Sequence, residues 1–189
     1  MRTAVLFPGI GYHCDKPLLY YAAKVARAAG YEIVPVPYTG FPPNVRGDAD
    51  KLAQCIDIAW TQANQMLSRV RWEETSDILF IGKSIGTVVA ARYALERALP
   101  VRSVLLTPLA GTFQYVDGDA IAFFGTADPW TETAVIQNAC EARNIPLYLT
   151  EHANHSLETG DVTADLEALQ ATMARIEAFV AGSACRDAD

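Results

Sequence analysis

Residues 77–94 read DILFIGKSIGTVVAARYA. The run Asp77–Ile81 is apolar after its first residue, which predicts a buried strand. The residues that follow Gly86 are mostly apolar or small, and they predict a helix that starts at the turn. A strand, a tight turn bounded by glycines and a helix in direct succession are typical of an α/β protein.

The rest of the chain repeats this alternation between short apolar runs and longer helical patterns. We predict strands over Thr3–Phe7, Glu32–Pro37, Ile78–Ile81, Val101–Thr107, Ala120–Gly125 and Pro146–Thr150. We predict helices over Lys16–Ala29, from Asp48 or Asp50 to Arg71, and over Ser84–Leu99, Thr133–Asn144 and Asp165–Val180. Strands that are apolar on both faces and separated by helices indicate βαβ units and therefore a parallel sheet.

The loops between these elements fall into two groups. Those at one edge of the sheet are short, whereas those that leave the carboxyl ends of the strands are longer and richer in Gly, Pro, His and aromatic residues. In open α/β sheets, ligands bind outside the carboxyl ends of the strands. We therefore expect the chemistry in residues 8–14, 38–47, 82–86, 108–118, 126–132 and 151–158.

The length of 189 residues suits a single domain, which we place at residues 1–181, followed by a polar tail at 182–189. A hydrophobic share of 51% indicates a globular chain. The formal net charge of -7 argues against nucleic acid as a partner, because phosphate binding needs a basic face.

The first residues and the cysteines bear on location. Pro8-Gly9 interrupts the first apolar run, so we expect no secretory signal, and no apolar stretch approaches the roughly 20 residues that span a membrane. The four cysteines are too far apart in sequence for a zinc or redox pair, and we interpret them as free thiols: Cys14, Cys55, Cys140 and Cys185. We expect a cytoplasmic protein with no membrane partner.

The turn Gly82-Lys83-Ser84-Ile85-Gly86 matches the pattern G-x-S-x-G. Its place between a strand and a helix is that of a nucleophile elbow, in which a strained serine projects its hydroxyl above the sheet. Glycine at positions 82 and 86 removes side chains that would collide with the neighbouring strand and helix. The N–H of Ile85 would lie at a helix N-terminus, which favours an anion, and would form half of an oxyanion hole.

Two other interpretations of this turn exist. Gly82-Lys83-Ser84 also ends the phosphate-binding P-loop pattern, but that pattern needs a glycine where Asp77 stands, inside the predicted strand. We therefore reject nucleotide binding. Alternatively, Ser84 serves only as the N-cap of the helix, which is a common role for serine.

A serine nucleophile needs a positioned base, and the chain has three histidines, His13, His152 and His155. We predict that His155 is the base, because it lies in the loop after the sixth strand, at the same sheet edge as Ser84. His152 is the alternative, although a solvated loop histidine is its simpler interpretation. His13 follows the first strand and is disfavoured by chain order.

The carboxylate that would orient His155 is Asp128, which follows the fifth predicted strand at the correct edge. A role in an Asp-Pro turn is the alternative for this residue. Two other acids precede the strand and would lie at the opposite edge: Asp117 and Asp119.

With Ser84, Asp128 and His155 in this order, the chain resembles the α/β-hydrolase family over nearly its full length. The resemblance is carried by residues 82–86, 125–128 and 154–156. The chain is similar to compact members of this family that lack a lid and are related to dienelactone hydrolases and small bacterial serine esterases. The resemblance implies a three-layer α/β/α sandwich whose six parallel strands have the order 2-1-3-4-5-6. The family's two N-terminal antiparallel strands would be absent.

The loop after the first strand should supply the second oxyanion donor, and Ile10 and Gly11 are both candidates. This loop begins with Pro8-Gly9 where the family has His-Gly, which is a departure from its pattern. Only Pro108–Gly118 lies between the fourth and fifth predicted strands, too little for a helical cap. We therefore expect an open site, roofed at most by Tyr38–Pro43, Phe113–Tyr115 and Trp130.

These residues together predict a serine hydrolase that cleaves a small carboxylic ester or thioester through an acyl-enzyme, without cofactor or metal ion. Its partner would be a small-molecule acyl substrate. Acyl transfer, peptide hydrolysis and a catalytically silent, hydrolase-like binding or scaffold protein stay open. Tyr12, Lys83 and Trp130 are candidates for the substrate wall. For Lys83 a solvated side chain is the simpler interpretation. The aromatic residues of the roof could equally form a substrate wall or serve plain packing.

Overall fold

The computed structural model describes residues 1–116 and 118–182. These residues form six strands, β1 (Arg2–Phe7), β2 (Glu32–Pro35), β3 (Asp77–Lys83), β4 (Val101–Leu106), β5 (Ala120–Gly125) and β6 (Leu147–Thr150). The same residues form five α-helices, α1 (Pro17–Ala28), α2 (Ala49–Leu67), α3 (Ile85–Glu96), α4 (Thr133–Glu141) and α5 (Val162–Ala181). Short 3-10 turns occupy Trp72–Glu74 and Ala110–Gln114. The predicted strands and helices are all confirmed, with ends that differ by a few residues.

The strands form one sheet in the order β2-β1-β3-β4-β5-β6, and each neighbouring pair is parallel. The implied strand order is therefore confirmed. At the carboxyl end of the central strand β3, Gly82 lies beside Phe7 of β1 and Lys83 lies beside Leu106 of β4. The turn after β3 thus emerges between the loops that leave β1 and β4.

The helices cover both faces of the sheet, as expected for strands that are apolar on both sides. On one face, α1 and α5 pack together over a core that includes Leu19, Ile81 and Ile176. On the other face, α2 and α3 bury Phe80 and Tyr93, and α4 covers β5. This three-layer α/β/α sandwich confirms the predicted fold class.

Three predicted element ends differ from the structure in an informative way. β3 continues to Lys83 instead of ending at Ile81. α5 begins at Val162 and not at Asp165, because the carboxylate of Asp161 accepts a hydrogen bond from the N–H of Ala164 (2.9 Å) and caps the helix. α2 ends at Leu67, four residues before the predicted end.

The connection between β4 and β5 decides whether the sheet edge is covered. Its described residues contain one 3-10 turn, Ala110–Gln114, and no helical cap. Asp117, in the same connection, lies outside the described residues, as do residues 183–189 of the predicted tail with Cys185. Within residues 1–116 and 118–182, no helix combines the length and apolar character needed to cross a membrane.

Candidate active site

Ser84 occupies the single residue between β3 and α3 and has a left-handed φ of 57° with ψ of −124°. This conformation is uncommon for a residue with a side chain and needs support from its surroundings. The N–H of Ser84 donates to the carbonyl of Leu106 (3.0 Å). Its side chain makes no capping hydrogen bond to α3, so the N-cap alternative does not account for this serine.

The two glycines of the turn lie where the backbone approaches its neighbours most closely. A Cβ at Gly86 would come 2.0 Å from the carbonyl oxygen of Phe7, and one at Gly82 would come 2.8 Å from the Cα of Thr87. Any side chain at position 86 would therefore push β1 away from the start of α3. The tight packing keeps Ser84 at the carboxyl edge of the sheet.

Three of the predicted site residues form one hydrogen-bonded chain. The Oγ of Ser84 lies 2.8 Å from the Nε2 of His155, and the Nδ1 of His155 lies 2.6 Å from the Oδ2 of Asp128. The other carboxylate oxygen of Asp128 accepts a hydrogen bond from the N–H of Trp130 (2.9 Å). The Asp128 side chain is fully buried, whereas 18% of the His155 side chain is exposed. A buried carboxylate thus holds an imidazole that reaches both the serine and solvent.

The two other histidines lie outside this chain of contacts. His13 is exposed and its Nδ1 lies 3.6 Å from the carboxylate of Asp15. His152 is exposed too, and its backbone N–H donates to the Oγ1 of Thr126 (2.7 Å). The structure therefore brings only His155, among the three, into contact with Ser84.

Two residues that hold the His155 loop had no predicted role. A Cβ at Gly125, the last residue of β5, would come 2.2 Å from the carbonyl oxygen of Ala153, so the loop passes directly over it. The side chain of Asn154 accepts a hydrogen bond from the N–H of Ser156 (2.7 Å), forming an Asx turn across His155. A Gly at a strand end and an Asn next to a candidate base are the signals that could have found them.

The environment of His155 favours its neutral form. Burial lowers the pKa of the imidazole from its ordinary 6.5. The hydrogen bond to Asp128 opposes this shift, while the nearby positive charge of Lys83 lowers the pKa further. A neutral imidazole at pH 7 has a lone pair on one ring nitrogen and can accept a proton.

Two backbone segments next to Ser84 carry N–H groups with no acceptor among the described residues. The N–H of Ile85 belongs to the first turn of α3, where amides have no partner within the helix. In the loop after β1, Gly9 and Tyr12 exchange two backbone hydrogen bonds of 3.1 and 3.3 Å. No described residue accepts from the N–H of Ile10 or Gly11. A Cβ at Gly9 would lie 3.1 Å from the Cβ of Ser84, so this loop lies against the serine.

The expectation that Lys83 is solvated is wrong. The residue is only 1% exposed, and its Nζ lies 4.9 Å from the centre of the Tyr12 ring. It is buried because β3 continues to Lys83 and directs the side chain under the Tyr12 loop. Burial lowers the pKa of Lys83 to about 7, although the charges of Asp128 and Glu158 oppose the shift.

Tyr12 is likewise buried, and its hydroxyl accepts a hydrogen bond from the N–H of Leu18 (3.1 Å) at the start of α1. Burial raises the pKa of this phenol to about 12. Little of Tyr12 or Lys83 is left to line a substrate site. Trp130 is half-buried, and its ring centre lies 5.4 Å from that of His155, beside the serine.

Two aromatic residues of the predicted roof pack on each other. Tyr38 and Phe41 are in ring contact at 6.1 Å, and Phe113 is buried.

Among residues 1–116 and 118–182, no group of three or more His, Cys, Asp or Glu side chains is arranged to hold a metal ion.

Comparison with known proteins supports the assignment of the fold. No family model and no curated protein matches the chain. A protein from Xanthomonas campestris pv. campestris, proposed to be a hydrolase of the α/β superfamily, matches with a TM-score of 0.65 at 17% identity, over 94% of this chain and 99% of that one. An esterase from Pyrococcus furiosus matches with a TM-score of 0.68 at 15% identity, over 95% and 82%.

A third solved structure has the same architecture. An α/β serine hydrolase without a lid, from Xanthomonas campestris, matches with a TM-score of 0.56 at 17% identity, over 92% of this chain and 81% of that one. At these identities the shared feature is the architecture of the sheet and its helices.

Proposed function

We propose that this chain, which has the fold of the α/β-hydrolases, is a serine hydrolase that cleaves small carboxylic esters or thioesters. The observation that carries the proposal is the unbroken hydrogen-bonded chain from Ser84 through His155 to Asp128, with contacts of 2.8 and 2.6 Å. A hydroxyl, an imidazole and a carboxylate in this order supply a nucleophile, its base and the group that orients the base. The fold alone would not support the proposal, because one fold hosts many functions.

In the first half of the proposed reaction, the Oγ of Ser84 attacks the carbonyl carbon of the substrate. The Nε2 of His155 takes the hydroxyl proton, and the electron pair of the carbonyl double bond moves to its oxygen. Asp128 stays ionised and stabilises the imidazolium. The N–H of Ile85, together with that of Ile10 or Gly11, donates hydrogen bonds to the resulting oxyanion.

In the second half, the tetrahedral intermediate collapses and His155 gives its proton to the leaving oxygen or sulfur. A water molecule, deprotonated by His155, then attacks the acyl-enzyme and forms a second tetrahedral intermediate. As the bond between the acyl carbon and the Oγ of Ser84 breaks, His155 returns the proton to Oγ, and the acid leaves. All proton transfers in this scheme use His155 alone.

The proposal is tested by labelling with a fluorophosphonate probe, which phosphonylates an activated serine. We expect labelling of the wild-type protein, no labelling of Ser84→Ala, and slow labelling of His155→Ala. The control is Ser68→Ala, because Ser68 is an exposed serine at the end of α2 whose hydroxyl donates to the carbonyl of Gln65. This variant should be labelled like the wild type.

Turnover is measured on p-nitrophenyl esters and acyl thioesters of graded chain length. Hydrolysis that is lost in Ser84→Ala supports the proposal. The proposal is overturned if the wild-type protein is not labelled, or if Ser84→Ala is labelled as strongly as the wild type. Labelling at Ser84 without hydrolysis of any ester or thioester would instead favour a catalytically silent binding protein.

A further inference from the structure

One residue of α3 donates two hydrogen bonds to the carbonyl of Ser84. This carbonyl accepts a hydrogen bond from the backbone N–H of Thr87 (2.9 Å) and a second one from the Oγ1 hydroxyl of Thr87 (2.7 Å). A threonine hydroxyl that bonds a carbonyl three residues earlier is a familiar local arrangement. Here the carbonyl belongs to the candidate nucleophile itself.

A third group fixes the direction of this hydroxyl. The Oγ1 of Thr112, in the 3-10 turn between β4 and β5, lies 2.6 Å from the Oγ1 of Thr87. A hydroxyl has one proton, and that of Thr87 is used on the Ser84 carbonyl, so Thr112 must be the donor to Thr87. Both threonines are fully buried, so bulk water does not compete for these bonds.

The geometry of the peptide bond links this carbonyl to the oxyanion site. The carbonyl of Ser84 and the N–H of Ile85 belong to one planar trans peptide and point in opposite directions. Fixing the carbonyl toward Thr87 therefore fixes the direction of the Ile85 N–H. The backbone of Ser84 has a strained φ of 57°, so this peptide needs such support to keep a single orientation.

We propose that Thr87, and through it Thr112, are positioning residues that aim the N–H of Ile85 at the oxyanion of the transition state. The inference rests on the proposed function of Ser84. Neither threonine needs to contact substrate, because both act through the Ser84–Ile85 peptide. A purely structural role, in which the pair only ties the 3-10 turn to the start of α3, makes different predictions.

The test compares Thr87→Val, which removes the hydroxyl at nearly constant volume, with Thr87→Ser, which keeps it. Removing an oxyanion donor costs about 10²- to 10³-fold in kcat, and a donor that is only misaligned should cost less, about tenfold. We expect Thr87→Val to lower kcat on p-nitrophenyl acetate by about tenfold at unchanged KM. Its rate of phosphonylation by a fluorophosphonate should fall to the same extent, and Thr87→Ser should restore both.

Two further variants keep the test decisive. Thr112→Val should lower kcat by about threefold at unchanged KM, because Thr87 keeps its own bond but loses its restraint, and this variant decides the question if Thr87→Val does not fold. Thr172→Val is the matched control, a buried threonine of α5 on the opposite face of the sheet, and should leave kcat unchanged. All rates are taken well below each melting temperature.

The positioning role is overturned if Thr87→Val and Thr112→Val melt earlier but keep wild-type kcat, or if Thr87→Ser is as slow as Thr87→Val. Failure of the proposed function has a different signature. In that case the wild-type protein itself is not labelled at Ser84, and the positioning role falls with it.

Discussion

The Nζ of Lys83 lies 4.9 Å from the centre of the Tyr12 ring, under a loop that leaves the amine almost no access to solvent. No described carboxylate forms a hydrogen bond or a close ion pair with it, and the charges of Asp128 and Glu158 act on it only from a distance. Burial lowers the pKa of this amine to about 7. A base that changes charge near neutral pH therefore stands next to Ser84 in the chain.

This burial predicts how stability depends on pH. Since the pKa of Lys83 is about 7 when folded and 10.5 ordinarily, the unfolded chain binds more protons between these values. The free energy of unfolding should therefore rise with pH in this window, by up to about 1.4 kcal/mol per pH unit from this group. The measurement is urea unfolding across the window, for the wild type and for Lys83→Met.

The difference between the two proteins isolates the lysine from other titrating groups. Below the folded pKa of Lys83, the wild type should be the less stable of the pair by a constant amount, and it should recover as the pH rises. Parallel curves for wild type and Lys83→Met would show that the amine is solvated after all.

The same amine should influence the pH dependence of the reaction. His155 must be neutral to act as a base, so kcat/KM should rise with pH through the pKa of His155, which burial and the Lys83 charge place below 6.5. In Lys83→Met the loss of a neighbouring cation should move this rise to higher pH. The measurement is kcat/KM on a neutral ester, with NMR titration of the His155 ring as an independent check.

NMR assigns the ring signals by comparison with His155→Gln. Two results would contradict this electrostatic explanation. One is a rise of the wild-type kcat/KM centred above pH 6.5, and the other is a shift of that rise to lower pH in Lys83→Met.

Much of the arrangement of Ser84, Asp128 and His155 could be predicted, because the carboxyl ends of parallel strands all lie at one edge of the sheet. Ser84, Asp128 and His155 each follow a recognisable apolar strand, so their meeting requires only that the strands lie in one sheet. The periodic patterns that identify such strands are local properties of the sequence. Local patterns predicted the ends of elements less well, as at α5, where the cap at Asp161 went unnoticed.

The parts that could not be predicted depend on contacts between distant residues. The solvent exposure of Lys83 depends on the loop that carries Tyr12, which comes more than seventy positions earlier in the sequence. The bond between Thr87 and Thr112 depends on a 3-10 turn that no pattern indicated. The domain limits, the cytoplasmic location and the choice between Ile10 and Gly11 stay predictions.

The role of Asp128 can be separated from simple packing. Asp128→Asn keeps the size of the side chain but removes the charge that stabilises the imidazolium and selects its tautomer. We expect kcat to fall by about 10³- to 10⁴-fold, with KM little changed. Kinetics on the best ester from the substrate screen measures the effect.

The matched control is Asp161→Asn, because asparagine caps a helix about as well as aspartate and α5 should form as before. Its kcat should equal that of the wild type. A loss below tenfold in Asp128→Asn would mean that the 2.6 Å contact to His155 contributes little to the reaction.

Gly125 links the end of β5 to the loop that carries His155. A Cβ there would come 2.2 Å from the carbonyl oxygen of Ala153 and 2.6 Å from that of Asn154, so Gly125→Ala must displace the loop. We expect a loss of about 1–3 kcal/mol in the free energy of unfolding. The rate of ester hydrolysis should fall further than this loss of stability alone would cause, because His155 moves with the loop. Gly182→Ala, whose Cβ would meet only ordinary contacts at 3.6 Å, is the control for adding a methyl group. Urea unfolding and ester hydrolysis measure the two effects, and wild-type activity in Gly125→Ala would show that the loop tolerates displacement without losing the contact between His155 and Ser84.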